Sequence, residues 1–251
     1  MPLRAETASL EAPVKTARAF VPPVGKVIAE RADSAALPTP FPATPAAWPA
    51  ETERPIGGFA KRAFDIGLSA LLLIALAPLF ALIAVLIGME SRGPILFGQQ
   101  RGGFGGKTFK IFKFRTMTVL EQGAEVRQAT RNDDRITRVG AFLRRTSLDE
   151  IPQLLNVLLG QMSLVGPRPH AVAHDRQFAL VDPRYSQRQV ARPGITGLAQ
   201  VSGCRGPTET DDAVRARTSF DLRYIWSWSM GGDIKILWLT ARLVLKDDKA
   251  F

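Results

Sequence analysis

The feature that most constrains this chain is an uncharged run of 24 residues, Ile66 to Met89, with Pro78 near its middle. As one continuous helix the run would reach about 36 Å, enough for a hydrocarbon core of roughly 30 Å. A core helix of a globular protein seldom stays uncharged on every face for this long. The run is therefore expected to enter a membrane. Pro78 lacks a backbone donor and its ring clashes with the preceding turn, so it breaks or kinks the helix. Two arrangements satisfy that break: a kinked spanning helix, or a helical hairpin that enters and leaves by the same face. Lys61, Arg62 and Asp65 mark the water-side start, and Glu90 and Arg92 mark the exit. Basic residues flank both ends, and such flanks stay cytoplasmic. This favours the re-entrant form and leaves the kinked spanning helix as the alternative.

Outside this segment the chain divides by composition. Residues 1–57 hold ten of the 18 prolines, as in Ala36-Leu-Pro-Thr-Pro-Phe-Pro-Ala-Thr-Pro45, which rules out long helices or central strands there. A disordered tail is expected. Its six basic and six acidic residues cancel, so the net charge of +10 belongs to the remainder. An excess of that size suggests an anionic partner. The single cysteine, Cys204, precludes an internal disulfide framework and suits a reducing compartment. The opening residues lack the apolar stretch of a cleaved leader. The expected plan is a tail (1–57), a membrane segment favouring the re-entrant form (58–92) and a cytoplasmic domain with membrane-interface helices (93–251). The fold class is α+β and mostly helical.

Residues 93–100 and 107–117 read as two short strands about a glycine-rich turn. Ser147 to Leu159 reads as a helix, with Ser147 as N-cap, Glu150 completing a capping box and Pro152 in the first turn. Residues 192–206 are Gly-rich and irregular. Phe220 to Val244 is helical in pattern and carries Tyr224, Trp226, Trp228 and Trp238, aromatics suited to a headgroup layer or to core packing.

Between Arg101 and Arg145 stand eleven Lys or Arg and four Asp or Glu. No basic recognition helix or aromatic RNA-binding pattern accompanies them, so a nucleic-acid partner is not expected. Anionic lipid and pyrophosphate account for the same charge. Gly106-Lys107-Thr108 imitates the end of a phosphate-binding loop, but Arg101 stands where that pattern needs a glycine. His170 and His174 share helical spacing without a third ligand, and they read as ordinary histidines. Asp149-Glu150 follows Arg144 and Arg145. By local physics alone the pair is a dipole-complementing cap at a helix N-terminus. Adjacent carboxylates beside arginines also suit phosphoryl chemistry: one attacks phosphorus and the other holds a divalent ion.

An ordered set of segments tips the choice. They are Lys61-Arg-Ala-Phe-Asp65, Lys113-Phe-Arg-Thr-Met117 and Arg144-Arg-Thr-Ser-Leu-Asp-Glu-Ile-Pro-Gln-Leu154. Asn156, Gly160-Gln-Met-Ser-Leu-Val-Gly-Pro-Arg-Pro169 and Pro193-Gly-Ile-Thr-Gly-Leu-Ala-Gln-Val201 continue the order. With them the chain from about Phe59 to Asp248 resembles the small monotopic phosphoglycosyl transferases, the bacterial sugar transferase family, and most of all its ExoY-like exopolysaccharide-initiating members.

The resemblance implies that Asp149 is the nucleophile, attacking the β-phosphorus of a UDP-sugar with release of UMP. Undecaprenyl phosphate then takes the phosphosugar from the aspartate. It implies Mg²⁺ on Glu150, phosphate contacts from Arg144 and Arg205, and Arg168 lining the nucleotide site, with Lys113 and Arg115 as weaker candidates for the same basic pocket. It places the enzyme on the cytoplasmic face of the bacterial inner membrane, with the re-entrant helix broken at Pro78. Many members carry Ser before that proline, whereas this chain has Ala77. Galactose and glucose are both reasonable sugars. The rival reading is a membrane-tethered scaffold of polysaccharide assembly with no catalytic activity.

Overall fold

The computed structural model describes residues 55–118, 133–206, 208 and 210–246. The proline-rich stretch before residue 55 and part of the basic segment lie outside the described residues.

The apolar run folds as two helices, α1 (Gly58–Ala75) and α2 (Ala77–Glu90), bent by 61° about Leu76. Pro78 sits in the first turn of α2, where its missing N–H leaves no hydrogen bond unmade. The break therefore falls two residues before the proline. Among the described residues no single helix is long and apolar enough to cross a membrane; only the bent pair has the length and composition.

The hairpin is present as β1 (Leu96–Gly102) and β2 (Thr108–Phe114), antiparallel, with Leu96 opposite Phe114 and Gly102 opposite Thr108. A second, parallel pair joins β3 (Ser163–Val165) to β4 (Gly194–Thr196). Its backbones crowd together: a Cβ on Gly194 would lie 2.1 Å from the Gly166 nitrogen, so only glycine fits there. The segment 192–206 is thus less irregular than its composition suggests, since β4 and the short helix α6 (Leu198–Val201) both lie in it.

Between the strand pairs lie α3 (Arg138–Thr146) and α4 (Gln153–Leu158), and between β3 and β4 lies α5 (Val172–Val181). Thr137 caps α3 by accepting from Gly140 N at 2.9 Å. Glu90, at the exit of α2, accepts from Arg138 N and Val139 N at 2.7 and 3.0 Å. The residue expected only to end the apolar run thus also anchors α3. Below that joint, Ile83 and Ile87 of α2 pack with Phe114 and Leu143, and the Phe80 and Phe114 rings meet at 5.2 Å.

Three expectations change. Ser147–Leu159 is not one helix. Ser147 adopts φ 56°, closes the C-terminus of α3, and begins a 3₁₀ turn over Leu148–Glu150 ahead of α4. A left-handed residue cannot serve as an N-cap with extended geometry, so the capping box is absent. Phe220–Val244 is likewise two helices, α7 (Asp211–Trp226) and α8 (Met230–Lys246). Ser229 restarts the chain by accepting from Gly232 N at 3.1 Å.

Lys61, Arg62 and Asp65, finally, do more than mark a water-side boundary. The Lys61 ammonium is buried 2.6 Å from Asp233 Oδ2, Arg62 donates to the carbonyls of Val157 and Leu158 at the end of α4, and Asp65 accepts from Leu164 N at 3.1 Å. All three bind α1 to the domain behind it.

Candidate active site

Asp149 and Glu150 occupy the 3₁₀ turn between α3 and α4. The turn is aimed by Ser147, the one non-glycine residue with positive φ among those described. Its unusual backbone is held from outside: Arg205 Nη2 donates to Ser147 Oγ at 2.7 Å. Strain fixed in this way by a neighbouring element is characteristic of functional turns.

Glu150 is saturated with cations. Arg168 donates through both guanidinium nitrogens, Nη2 to Oε1 at 2.6 Å and Nη1 to Oε2 at 3.2 Å, and Lys113 Nζ donates to Oε1 at 2.7 Å. Burial raises the Glu150 pKa, but Arg168 and Lys113 outweigh it and hold the carboxyl well below its ordinary range. Asp149 differs. It is only 8% exposed, and its ion pair with Lys113 is long, 3.9 Å from Nζ to Oδ2. Burial pushes its carboxyl up to about 6; Lys113, Arg144 and Arg168 pull it down, and the charge of Glu150 adds to the rise. Two neighbouring carboxylates with opposed shifts are the usual sign of divided roles.

Arg144 faces the same turn, its Nε donating to Thr116 Oγ1 at 2.9 Å. Its helix approaches the chain after β2 so closely that a Cβ on Gly140 would lie 2.1 Å from the Thr116 carbonyl oxygen. Arg168 is placed by its own backbone: Arg188 Nη2 donates to the Arg168 carbonyl at 2.7 Å, and Arg188 Nε donates to Asp221 Oδ2 at 2.7 Å. A row of paired side chains thus runs from buried Asp221 on α7 through buried Arg188 to half-buried Arg168 and Glu150.

The structure therefore gathers Asp149, Glu150, Lys113, Arg144 and Arg168, with Arg205 one contact behind. Arg115 is the exception. Its guanidinium is buried and turns away, donating to the Ser91 carbonyl at 2.6 Å and to Ser91 Oγ at 3.0 Å, where it fastens the end of α2. The cause is the strand period: Lys113 and Arg115 lie two apart, but Arg115 follows the last residue of β2 and no longer keeps its alternation. His170 is a core histidine between Arg217 Nη1 at 3.1 Å and Tyr185 Oη at 2.6 Å, its pKa driven well below 6.5 by burial and by Arg188. Arg188, Asp221, Thr116 and Asn156 were missed by sequence reasoning. Thr116 lay within the Lys113–Met117 segment and Asn156 stood alone in the motif order, whereas no motif pointed to Arg188 or Asp221. Asn156 clamps β2 by accepting from Phe112 N at 2.9 Å and donating to the Lys110 carbonyl at 2.8 Å.

For a divalent ion the donors are few. Among the described residues no group of three or more His, Cys, Asp or Glu side chains is placed to hold one. Glu150 Oε1 carries two cationic donors and Oε2 a third. As arranged, the dyad does not fit a resident ion, and no step below is routed through one.

Comparison with known proteins agrees with this geometry. Residues 56–247 match the family model described as bacterial sugar transferase. The chain is 53% identical over 191 residues to a UDP-glucose:undecaprenyl-phosphate glucose-1-phosphate transferase of Caulobacter vibrioides, covering 76% of this chain and 72% of that protein. It is 52% identical over 180 residues to a protein of the same name from Escherichia coli, covering 72% of this chain but 39% of that longer one. With the exopolysaccharide production protein PSS of Rhizobium leguminosarum bv. phaseoli the identity is 48% over 195 residues, covering 76% of this chain and 98% of that protein.

Proposed function

Because the chain belongs to the bacterial sugar transferase family, we propose that it transfers glucose-1-phosphate from UDP-glucose to undecaprenyl phosphate and so initiates an exopolysaccharide. The names of the relatives at 53% and 52% identity support glucose over galactose. The observation that carries the chemistry is the asymmetry of the dyad. Glu150 is tied up by cations, whereas Asp149 is buried, loosely paired and left with lone pairs to use.

In the proposed reaction an Asp149 carboxylate oxygen attacks the β-phosphorus. The new O–P bond replaces the P–O bond to the α-phosphate, and UMP leaves with that electron pair. A phosphate oxygen of the lipid then attacks the same phosphorus, and Asp149 departs as a carboxylate. Arg144, Arg168 and Lys113 would spread the charge on the phosphoryl oxygens, with Arg205 steadying the turn. Glu150, by holding Lys113 and Arg168, would place the cations.

A membrane position is supported by an inversion of α1. Its buried residues are the polar Lys61, Asp65 and Ser69, while Phe59, Leu71 and Ile74 are 88%, 62% and 76% exposed. A water-facing helix would show the reverse pattern. We place the bent pair as a re-entrant segment in the cytoplasmic membrane, with the dyad on the cytoplasmic side where a soluble nucleotide sugar and a lipid-held phosphate meet. The test is UMP release from UDP-glucose by the membrane-embedded protein. Asp149→Asn is expected to abolish it, with or without lipid acceptor. Unchanged release in that variant would sink the covalent scheme, and a wild-type protein inert to every UDP-sugar would favour the scaffold.

A further inference from the structure

Helix α7 carries Arg217 and Asp221 four residues apart, on one face. Both are buried behind the site. Asp221 holds Arg188, whereas Arg217 spans two loops. Its Nη2 donates to the Cys204 carbonyl at 2.7 Å and to the Gly206 carbonyl at 2.6 Å, gripping the chain on either side of Arg205. Its Nη1 lies 3.1 Å from Nε2 of His170, two residues after Arg168. Arg205 steadies the Ser147 hinge and Arg168 holds Glu150, so these loops fix both ends of the dyad turn. We propose that Arg217 is a positioning residue of the site: its one guanidinium sets the spacing between the Arg205 loop and the Arg168 loop, and through them the aim of the dyad.

The protons around His170 fall into one order. A guanidinium only donates, so His170 Nε2 is the bare nitrogen and Nδ1 carries the hydrogen. Nδ1 then donates to Tyr185 Oη at 2.6 Å, and the Tyr185 hydroxyl donates to Asp175 Oδ1 at 2.6 Å. In this order Arg188 Nη1, 3.2 Å from Nδ1, is a neighbour and not a donor to it. Asp175 is itself wedged against β1, where a Cβ on Gly102 would lie 2.2 Å from Asp175 Oδ2. The imidazole cannot turn away from Arg217 without stranding Tyr185.

Stabilisation of the core does not account for this arrangement. Among the described residues the hydrogen bonds of Arg217 all go to neutral groups, and its Nε makes none. Burial and the facing charge of Arg168 lower its pKa to about 10. A buried cation without a hydrogen-bonded carboxylate is costly. An apolar side chain would fill the space at less cost, but it could not hold three acceptors on two loops at once. A planar guanidinium can, and the single ammonium of a lysine lacks that geometry.

This role rests on the reaction proposed above, but one readout needs no turnover. Cys204, the only cysteine of the chain, is half-buried, and its own carbonyl is one that Arg217 holds. The full-length protein in nanodiscs is treated with a thiol reagent, and UMP release from UDP-glucose is measured in parallel. In Arg217→Met, Cys204 is expected to react about tenfold faster, as opening of a released loop allows. Loss of the Arg217 charge alone would slow that reaction, because the charge favours the thiolate. In turnover, kcat should fall about tenfold with KM for UDP-glucose little changed, the mark of misplaced reacting groups. Arg205→Met should cost less in the Arg217→Met background than in the wild type, since the two share one loop. Arg217→Lys keeps the charge and should still show the faster Cys204 reaction; it carries the test if the methionine variant does not fold. Arg215→Met, at an exposed position of the same helix, should match the wild type in both assays. Unchanged Cys204 reactivity overturns the proposal, as does full recovery by lysine, or losses that simply multiply in the Arg205–Arg217 double variant. A wild type that releases no UMP from any UDP-sugar, beside the expected Cys204 rates, would defeat the transferase reading alone.

Discussion

Asp149 has a carboxyl raised to about 6 because burial and the charge of Glu150 outweigh the pull of Lys113, Arg144 and Arg168. The proposed role of Asp149 as nucleophile requires it to be ionised, so UMP release should rise with pH through about 6 and level off above it. Glu150→Gln removes a like charge and should move that rise to lower pH, although Lys113 and Arg168 lose their anchor and the maximum rate falls. A pH profile that moves upward in Glu150→Gln would contradict the assignment. In stability terms the sign is opposite to that of a salt-bridged aspartate. A carboxyl with a raised folded-state pKa favours the fold while protonated, and that contribution is lost as pH rises through about 6. Asp149→Asn should therefore fold at least as stably as the wild type at neutral pH while losing activity, a separation that thermal melts and UMP assays resolve.

At the scale of elements, the telling joint is between α1 and α8. Lys61, Tyr224 and Trp228 all converge on Asp233, at 2.6 Å from the ammonium, 2.9 Å from the phenol and 3.2 Å from the indole nitrogen. Asp233 is fully buried. Removing it leaves a buried, unpaired lysine, a change that typically costs about 3–5 kcal/mol. Asp233→Ala should lower stability by that order in denaturant titrations and loosen α1 from the domain, whereas exposed Asp212→Ala should not. The same joint divides the terminal aromatics between the two roles expected for them. Tyr224 is buried and hydrogen-bonded, while Trp226 and Trp238 stay 44% and 59% exposed, with the Arg242 guanidinium 5.5 Å from the Trp238 ring centroid. Only the exposed pair suits a headgroup layer.

Over the whole molecule, the helices that present exposed apolar surface also hold the candidate site in place. The outward faces of α1 and α2 are apolar, including Leu82, Val85 and Met89, and the same helices root the site through Glu90 and Lys61. If the pair is re-entrant, single cysteines at Ala60 and Arg92, both exposed, should react with an impermeant thiol reagent from the same side of sealed vesicles in a Cys204→Ser background. Reaction from opposite sides would establish a spanning helix instead.

By itself the sequence determined what is local or carried in order along the chain. The uncharged run and Pro78 specify a broken apolar helix, alternation around glycines specifies the hairpin, and the succession of motifs points to the dyad. Tertiary structure decided what depends on partners far away in sequence. Arg115 became an anchor for α2, Lys61 became a buried partner of Asp233 172 positions on, and Ser147 became a left-handed hinge steadied by Arg205. Local propensity cannot anticipate these, because a charge can be buried only where the fold brings a counter-charge to it. The opposed pKa shifts within Asp149-Glu150 belong to the same class: two adjacent carboxylates with the same chemistry were separated by how closely the distant Lys113 and Arg168 approach each of them.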